Sequence, residues 1–245
     1  MTQFTFREAD QEGLETLKAI AAADRFNEWM YQTIEPFCKG RILEVGSGIG
    51  NISNFFIRDG RQIVLSDIRE SYCSQLREQF GNKAEAVLRL DLVHPSFDEE
   101  YADWLSSFDT VFALNVVEHI ADHDLAIRNA RKLLREGGNL IILVPAYQWL
   151  YNRFDKELEH YRRYTRKQLI GLMSPHLKVR HSQYFNCAGI PGWFVSGRIL
   201  NKRTIPAGQM GFFNKLVPVF RLIDRLIGNR IGLSVIVSGT KETTN

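Results

Sequence analysis

Three glycines spaced G-x-G-x-G are the first feature of this chain that could bind a ligand, and they lie in the segment RILEVGSGIGN at residues 41–51. They are Gly46, Gly48 and Gly50. The apolar residues before them predict a buried strand, and the glycines predict a turn that leads the chain into a helix. A strand, a glycine turn and a helix in this order are typical of a nucleotide-binding site.

The details of this turn separate two classes of nucleotide ligand. Dinucleotide-binding folds need G-x-G-x-x-G, in which the third glycine allows close helix packing and the pyrophosphate meets the helix N-terminus. Here Asn51 occupies that third position. Glu44, at the mouth of the predicted strand, would repel a pyrophosphate but suits a ligand that carries an ammonium group. We therefore expect S-adenosylmethionine rather than a dinucleotide.

Acid or amide residues also end the next three predicted strands. They are Asp67 after strand 62–66, Asp91 after strand 86–90 and Asn115 after strand 109–114. In open α/β sheets the ligand lies at the carboxyl ends of the strands, so these positions converge on one site. Together with the glycine turn, this order resembles the class I S-adenosylmethionine-dependent methyltransferases over about residues 27–164.

The resemblance implies a role for each of these positions. Asp67, with Ile68 beside it, would accept hydrogen bonds from the cofactor ribose hydroxyls, and Asp91, with Leu92, would meet the adenine. The segment after the fourth strand would lie beside the methionine end of the cofactor. The remaining cofactor contacts that the resemblance implies are Asn115, Val116 and His119, together with Glu44 and the three glycines.

The alternation of predicted strands and helices indicates an α/β fold with a doubly wound, mostly parallel seven-stranded sheet and helices on both faces. We expect a helical cap at residues 1–40, a cofactor-binding core at 41–145 and a substrate-side half at 146–245. The last part includes a long insert, 185–232, before the final strand. A length of 245 residues and a hydrophobic content of 44% suit a single domain.

The termini and the cysteines predict a cytoplasmic protein. The first 13 residues, MTQFTFREADQEG, lack a cationic and apolar signal pattern, and the apolar run 140–146 is far shorter than a membrane span. The three cysteines, Cys38, Cys73 and Cys187, are odd in number and lack C-x-x-C spacing. Neither a disulfide framework nor a zinc site is therefore indicated.

Charge is distributed unevenly along the chain. Residues 1–159 hold 17 Lys and Arg against 26 Asp and Glu, whereas residues 160–245 hold 14 against 2. A basic second half favours an acidic partner or substrate, although two opposite faces of one fold would give the same pattern.

The basic half opens with the segment EHYRRYTRKQL, residues 159–169, which is the best candidate for substrate contact. Thr165 and Gln168 form a capping box, so we expect a helix to begin at Arg166. The residues before it, in the connection that enters this helix, are the candidate substrate-binding residues Tyr161, Arg162, Arg163 and Tyr164. Neighbouring side chains of an extended loop point in opposite directions, so only one of the two arginines should face the pocket, and the other would be solvated or form an ion pair.

His160 is the candidate catalytic residue, because the resemblance implies that this loop faces the transferred methyl group. Methyl transfer depends mainly on proximity and orientation, and a hydroxyl nucleophile gains further from a base near neutral pH. Histidine suits that task. A purely hydrogen-bonding role for His160 is the alternative. Glu118 and His119 with Asp122, His123 and Asp124 look like metal ligands but do not match H-E-x-x-H, so we expect no metal.

The insert contains a predicted helix from Pro218 to Ile227 that ends at Gly228. Its apolar residues form a stripe of Val219, Leu222, Ile223 and Leu226. Packing of this stripe on the sheet, as part of a lid, is the favoured interpretation. Contact of residues 212–230 with a membrane surface or a lipid substrate is the alternative.

These observations predict a methyltransferase for a small or lipid-like, anionic acceptor. A nucleic-acid methyltransferase would suit the basic half, but the segment after the fourth strand lacks an N-P-P-Y type motif, and the chain lacks a Pro-Cys nucleophile pair and an RNA-binding module. A non-catalytic protein that retains the cofactor fold is the second alternative. The acceptor atom and the oligomeric state are not predicted.

Overall fold

A computed structural model describes residues 11–200, 202 and 207–243, and seven strands of this part form one sheet. The strands are β1 (Ile42–Val45), β2 (Ile63–Asp67), β3 (Ala86–Arg89), β4 (Phe108–Leu114), β5 (Leu134–Pro145), β6 (Lys178–Phe185) and β7 (Ser234–Thr240). Their spatial order is β3-β2-β1-β4-β5-β7-β6, and β7 runs antiparallel to both of its neighbours. The predicted seven-stranded, mostly parallel sheet is confirmed. Because the order reverses between β1 and β4, a crevice opens at the carboxyl ends of these strands.

Helices connect and cover the strands. Two of them precede β1, namely α1 (Gln11–Ala21) and α2 (Asp24–Ile34). The connections up to β5 contain α3 (Ser53–Arg58), α4 (Glu70–Phe80), α5 (Phe97–Glu100) and α6 (His123–Leu133). Between β5 and β6 lie α7 (Arg153–Glu157) and α8 (Arg166–Met173), and between β6 and β7 lie α9 (Gly189–Phe194), which continues as a π-helical turn, and α10 (Ala207–Leu226).

Alternate residues of the buried strands feed two separate hydrophobic cores. Leu43 of β1 belongs to a core that includes Ala126 and Leu133 of α6 and Leu169 of α8. Its neighbour Ile42 belongs to a second core on the other face of the sheet. That core includes Trp29 and Ile34 of α2, Phe56 of α3, Leu76 of α4 and Val217 of α10. Side chains alternate between the faces of a strand, so this division places helices on both sides of the sheet, as predicted.

The capping box at Thr165 is present as the sequence indicates. The Thr165 side chain accepts a hydrogen bond from the Gln168 backbone N–H, and the Gln168 side chain accepts one from the Thr165 N–H. These bonds satisfy two N–H groups that a helix start would otherwise leave without partners, and α8 begins at Arg166.

The predicted helix in the insert is longer than expected and faces the other way. It begins at Ala207 rather than at Pro218, and Pro218 lies inside it. The residues that pack inward are Met210, Phe213, Val217 and Phe220. The stripe formed by Val219, Leu222, Ile223 and Leu226 is exposed to solvent, so the interpretation that it packs on the sheet is wrong. Among the described helices, none is both long enough and apolar enough to cross a membrane.

Candidate functional site

Both halves of the chain enclose a cavity of about 670 Å³ at the carboxyl ends of β1 to β5. The cap contributes Leu17 of α1 and Phe26 and Met30 of α2. The strand ends form the floor, and residues from the insert, such as Trp193 and Phe213, close the opposite side. A volume in this range suits a nucleotide-sized ligand together with a second molecule.

The glycine turn after β1 brings the backbone to the cavity. Gly46 has φ of 72° and Gly50 has φ of 84°, which is the left-handed region that favours glycine. A Cβ at Gly46 would collide with the side chain of Val116, and one at Gly50 would collide with Phe80. Gly46 and Gly48 line the cavity, whereas Gly50 packs against α4 instead. The turn therefore needs glycine for conformation and for close packing, and two of its three glycines face the ligand space.

Asp67 is fixed at the end of β2 by backbone hydrogen bonds. Its Oδ2 accepts from the Gly48 N–H at 3.0 Å and its Oδ1 accepts from the Arg69 N–H at 3.0 Å. The carboxylate is buried yet lies in the cavity wall, and burial raises its pKa above the ordinary value despite these two bonds. A carboxylate has about four acceptor positions, so it retains capacity to bind two ligand hydroxyls.

Most of the predicted cofactor residues come together in the same wall. Asp91 is held there because its Oδ1 accepts from the Val93 N–H at 2.9 Å and its own N–H donates to the Tyr101 hydroxyl at 2.9 Å. Asn115 adopts a positive φ of 55° at the end of β4. The other predicted residues in the wall are Gly46, Gly48, Asp67, Ile68, Leu92, Val116 and His119.

Glu44 differs from these residues. Its side chain is buried under the turn, accepts a hydrogen bond from the Ser53 hydroxyl and is absent from the cavity wall. Burial raises the pKa of Glu44 to about 7. The observed contact links β1 to the start of α3, and a direct contact of this carboxylate with the ligand stays a prediction.

His160 lies in the cavity wall and is oriented by a buried carboxylate. Its Nδ1 is 2.9 Å from Oδ1 of Asp155, and only 7% of the residue is exposed. This hydrogen bond leaves Nε2 as the ring nitrogen available to other groups. Burial acts to raise the pKa of Asp155, but the hydrogen bond from His160 and the charge of Arg163 outweigh it and hold that pKa below the ordinary value. Asp155 therefore remains an anion that keeps the imidazole in one orientation.

Arg163 completes this group as a structural ion pair. Its Nε donates to Oδ1 of Asp155 at 2.7 Å, its Nη1 donates to the Ala146 carbonyl at 3.1 Å, and its guanidinium lies over the Trp193 ring at 4.6 Å. The residue is 3% exposed. Arg163 lines the cavity, but its charge is already paired with Asp155. It should therefore attract an anionic acceptor only weakly.

The other predicted substrate residues divide between the cavity and the surface. Tyr161 lines the cavity. Arg162 lies outside it, and its Nη2 donates to the Ala121 carbonyl at 3.0 Å. Tyr164 is buried, with its hydroxyl 2.8 Å from Nδ1 of His123. Arg162 and Tyr164 thus have partners outside the cavity wall, and their contact with substrate stays a prediction.

Glu118 is a fully buried carboxylate behind the site. Neither of its oxygens has a hydrogen-bond partner among the described residues, and its Oε1 is 4.0 Å from Nε2 of His160. Burial raises its pKa to about 8, so the neutral form predominates near pH 7. A neutral carboxyl beside His160 leaves Asp155 as the charged partner of that imidazole.

Glu118, His119 and His160 each offer one atom within 4.8 Å of the others, which is the group that most resembles a metal site among the described residues. Burial, followed by the neighbouring His160, lowers the pKa of His119 to about 3, and its ring also interacts with the backbone of Leu158 and Asn115. The sequence-based expectation of no metal stays a prediction.

Sequence reasoning missed two residues that hold the site together. Asp155 is the N3 residue of a capping box with Asn152, whose backbone N–H donates to Oδ2 of Asp155 at 2.9 Å. The N-x-x-D spacing of Asn152 and Asp155 was a signal that could have located α7. Trp193 comes from the insert, and no local pattern connects it to Arg163.

Comparisons with known sequences agree with this arrangement. A family model described as a methyltransferase domain matches residues 43–140. The chain is 29% identical over 115 residues to the ubiquinone biosynthesis O-methyltransferase of Xanthomonas axonopodis pv. citri, covering 47% of this chain and 46% of that protein. It is 31% identical over 119 residues to a highly reducing polyketide synthase of Aspergillus niger, covering 42% and 5%. The chain spans less than half the length of each of these relatives.

Solved structures share the fold over most of the chain. Phosphoethanolamine N-methyltransferase 2 of Haemonchus contortus, solved with S-adenosyl-L-methionine, superposes with a TM-score of 0.56 at 15% identity and covers 89% of this chain and 52% of that one. A SAM-dependent methyltransferase from Archaeoglobus fulgidus gives 0.56 at 14% identity, with coverage of 88% and 94%. Together with the strand order and the glycine turn, these matches show that the chain has the fold of the class I S-adenosylmethionine-dependent methyltransferases and that its residues 43–140 match a methyltransferase domain.

Proposed function

We propose that this protein transfers the methyl group of S-adenosyl-L-methionine to a small or lipid-like acceptor, with His160 as the base. The observation that carries the proposal is the shared cavity. The strand-end residues of the first half and the oriented imidazole of the second half line the same cavity.

The residues of the first half fit the cofactor. Gly46 and Gly48 leave room for close approach of a ligand, and Asp67 has remaining acceptor positions for the ribose hydroxyls. Asp91 and Leu92 would line the adenine site, and Asn115 and His119 the methionine end. When bound, the cofactor would supply an activated methyl group for transfer to the acceptor.

The residues of the second half act on the acceptor. His160 is in the cavity wall, and the Asp155 carboxylate holds its Nδ1, so Nε2 can take the proton that the acceptor loses. Asp155 acts through His160 and is a positioning residue.

The acceptor side of the cavity is mainly apolar. It is lined by Phe154, Leu158, Trp193, Met210, Phe213 and Leu233. The arginine that reaches this wall, Arg163, is paired with Asp155. These contacts favour an acceptor that binds through an apolar body over an acceptor that is recognised by its negative charge. They therefore favour the lipid-like alternative.

Two experiments test the proposal in sequence. Calorimetry should show that the purified chain binds S-adenosylhomocysteine but not NADH. Incubation with methyl-labelled S-adenosylmethionine and fractionated cell extract should then place label in a lipid or small-molecule fraction. NADH binding in place of S-adenosylhomocysteine would contradict the cofactor assignment. Label in RNA would contradict the acceptor class, and cofactor binding without any transfer would indicate a non-catalytic protein.

A further inference from the structure

The helix α10 has two faces of unusual character. Its inner face contributes Met210 and Phe213 to the cavity wall and buries Val217 against the second core. Asp224 is also on the inner side, where its carboxylate accepts hydrogen bonds from the N–H groups of Asn186 and Cys187 at 2.6 and 3.0 Å. The one acidic residue of the helix is therefore turned into the protein and bound there.

The outer face of α10 is apolar and exposed. We call this surface the outer α10 face, defined by Phe212, Val219, Leu222, Ile223 and Leu226. The exposed fractions are 68% for Phe212, 53% for Val219, 54% for Leu222, 37% for Ile223 and 76% for Leu226. Five large apolar residues on one exposed helix face indicate a surface that another molecule covers.

Basic residues accompany this surface. Lys215 and Arg225 of α10 are exposed, and so is Arg230 just after the helix. Arg221 is half-buried in a groove that is also lined by Arg25 and Glu28 of α2 and by Arg225. With Asp224 buried, the charges that α10 itself presents to solvent are positive.

An apolar helix face flanked by cations is the pattern of a helix that lies in the headgroup region of a membrane. A second copy of this chain would bring Lys215 and Arg225 close to identical cations, which like-charge repulsion disfavours. We propose that the outer α10 face docks on an anionic lipid bilayer. Because the inner face of the same helix lines the cavity, docking would place the apolar side of the site next to the membrane.

Vesicle sedimentation tests this proposal and does not depend on methyl transfer. The chain should sediment with vesicles of phosphatidylcholine and phosphatidylglycerol, and far less with phosphatidylcholine alone. Binding should weaken at high salt because the Debye length shortens. Reversing Lys215 and Arg225 to Glu should weaken binding at least roughly 30-fold, since each basic residue contributes roughly fivefold near an anionic surface. Lys83→Glu, at an exposed position near the start of β3, is the single-charge control and should retain binding.

A second pair of variants tests the apolar contribution. Leu222→Glu with Leu226→Glu should abolish sedimentation. The control variant, Gln75→Glu with Gln79→Glu, adds the same charges with the same helical spacing on the exposed side of α4. Its affinity for vesicles should be only slightly lower than that of the unmodified chain. Circular dichroism checks that both double variants are folded.

Three results would overturn the proposal. The first is failure to bind either vesicle type. The second is vesicle binding that the Leu222 and Leu226 substitutions leave unchanged, because another face would then be responsible. The third is a dimer in light scattering that these substitutions dissociate, without vesicle binding, because the outer α10 face would then contact a second copy.

Discussion

The two sides of the cavity are built by different means. On the cofactor side, glycines and strand-end residues are fixed by the backbone, as in the hydrogen bonds from Gly48 and Arg69 to Asp67. On the acceptor side, side chains fix one another, since Asp155 holds both His160 and Arg163 and Arg163 lies over Trp193. A site held by its backbone follows from the local sequence, whereas a site held by a side-chain network depends on every member of that network.

The sharpest test of this division is the removal of the proposed base, His160. His160→Gln should lower kcat by about 100- to 10,000-fold, which is the usual contribution of a general base. It should leave the affinity for S-adenosylhomocysteine nearly unchanged, because the cofactor side is held separately. Transfer assays with the acceptor found by labelling, together with calorimetry, measure both. His181→Gln is the control, since this histidine stacks on Phe37 away from the cavity. Unchanged kcat would contradict the role of His160 as base.

Two adjacent arginines allow the network to be separated from surface charge. Arg163→Met should lower the free energy of unfolding by about 3 to 5 kcal/mol, because it leaves a buried carboxylate without its cationic partner. Arg162 is half-buried and its side chain bonds to a backbone carbonyl, so Arg162→Met should lower the free energy of unfolding by only about 1 kcal/mol, the usual contribution of one hydrogen bond. Urea unfolding of both variants measures the difference. Equal effects would mean that the side-chain network is not what stabilises the acceptor side.

The corresponding test on the cofactor side is Asp67→Asn. The amide can still accept the hydrogen bond from the Gly48 N–H, but bonds to ribose hydroxyls lose the assistance of a negative charge. Affinity for S-adenosylhomocysteine should fall roughly 100-fold, with about 1 to 1.5 kcal/mol lost for each of two bonds. Calorimetry measures this change, and Asp103→Asn at an exposed position serves as the control. Wild-type affinity would show that Asp67 maintains the turn but does not bind ligand.

A test by pH concerns the buried carboxyl between the two sides. Burial raises the pKa of Glu118 from the ordinary value of 4.5 to about 8, so the folded protein keeps this group neutral while the unfolded chain ionises it. The wild type therefore loses stability as the pH rises from about 4.5 to about 8, and loses no more from this group at higher pH. Glu118→Gln removes that titration, so its stability relative to the wild type should increase between about pH 5 and pH 8.

Chemical unfolding at several pH values checks this expectation. Glu78→Gln, at an exposed position of α4, is the matched control and should follow the wild type. A stability difference between Glu118→Gln and the wild type that stays constant over this range would show that Glu118 is ionised in the folded protein. It would then be a second charged partner for His160.

The cofactor side could be predicted well from sequence because its signals are local. A short apolar strand, a glycine turn and an acid at the next strand end each lie within a few residues, and parallel topology brings the strand ends together. Asp67, Asp91 and Asn115 accordingly lie in one wall. The exception is Glu44, because the sequence places it on β1 but does not reveal that Ser53 lies within hydrogen-bonding distance.

The acceptor side was predicted only in part. The sequence indicated the capping box at Thr165 and the position of His160, both of which depend on a few neighbouring residues. It did not reveal that Arg163 is paired with Asp155 or that Arg162 contacts the Ala121 carbonyl. The packing of α7 and the insert around this loop decides which partner each residue has. Local residue spacing does not reveal that packing.

The sequence by itself determined the order of strands and helices, the glycine turn, the strand-end acids and the grouping of apolar residues on α10. The tertiary structure decided which side of that helix is covered. Periodicity shows which residues share a helix face, but not whether protein or solvent lies against it, because burial depends on the elements that pack nearby. The inner side of α10 places Met210 and Phe213 in the cavity wall and Val217 in the core. On the same side, Asp224 accepts hydrogen bonds from the backbone N–H groups of Asn186 and Cys187. Leu222 and Leu226 therefore face outward.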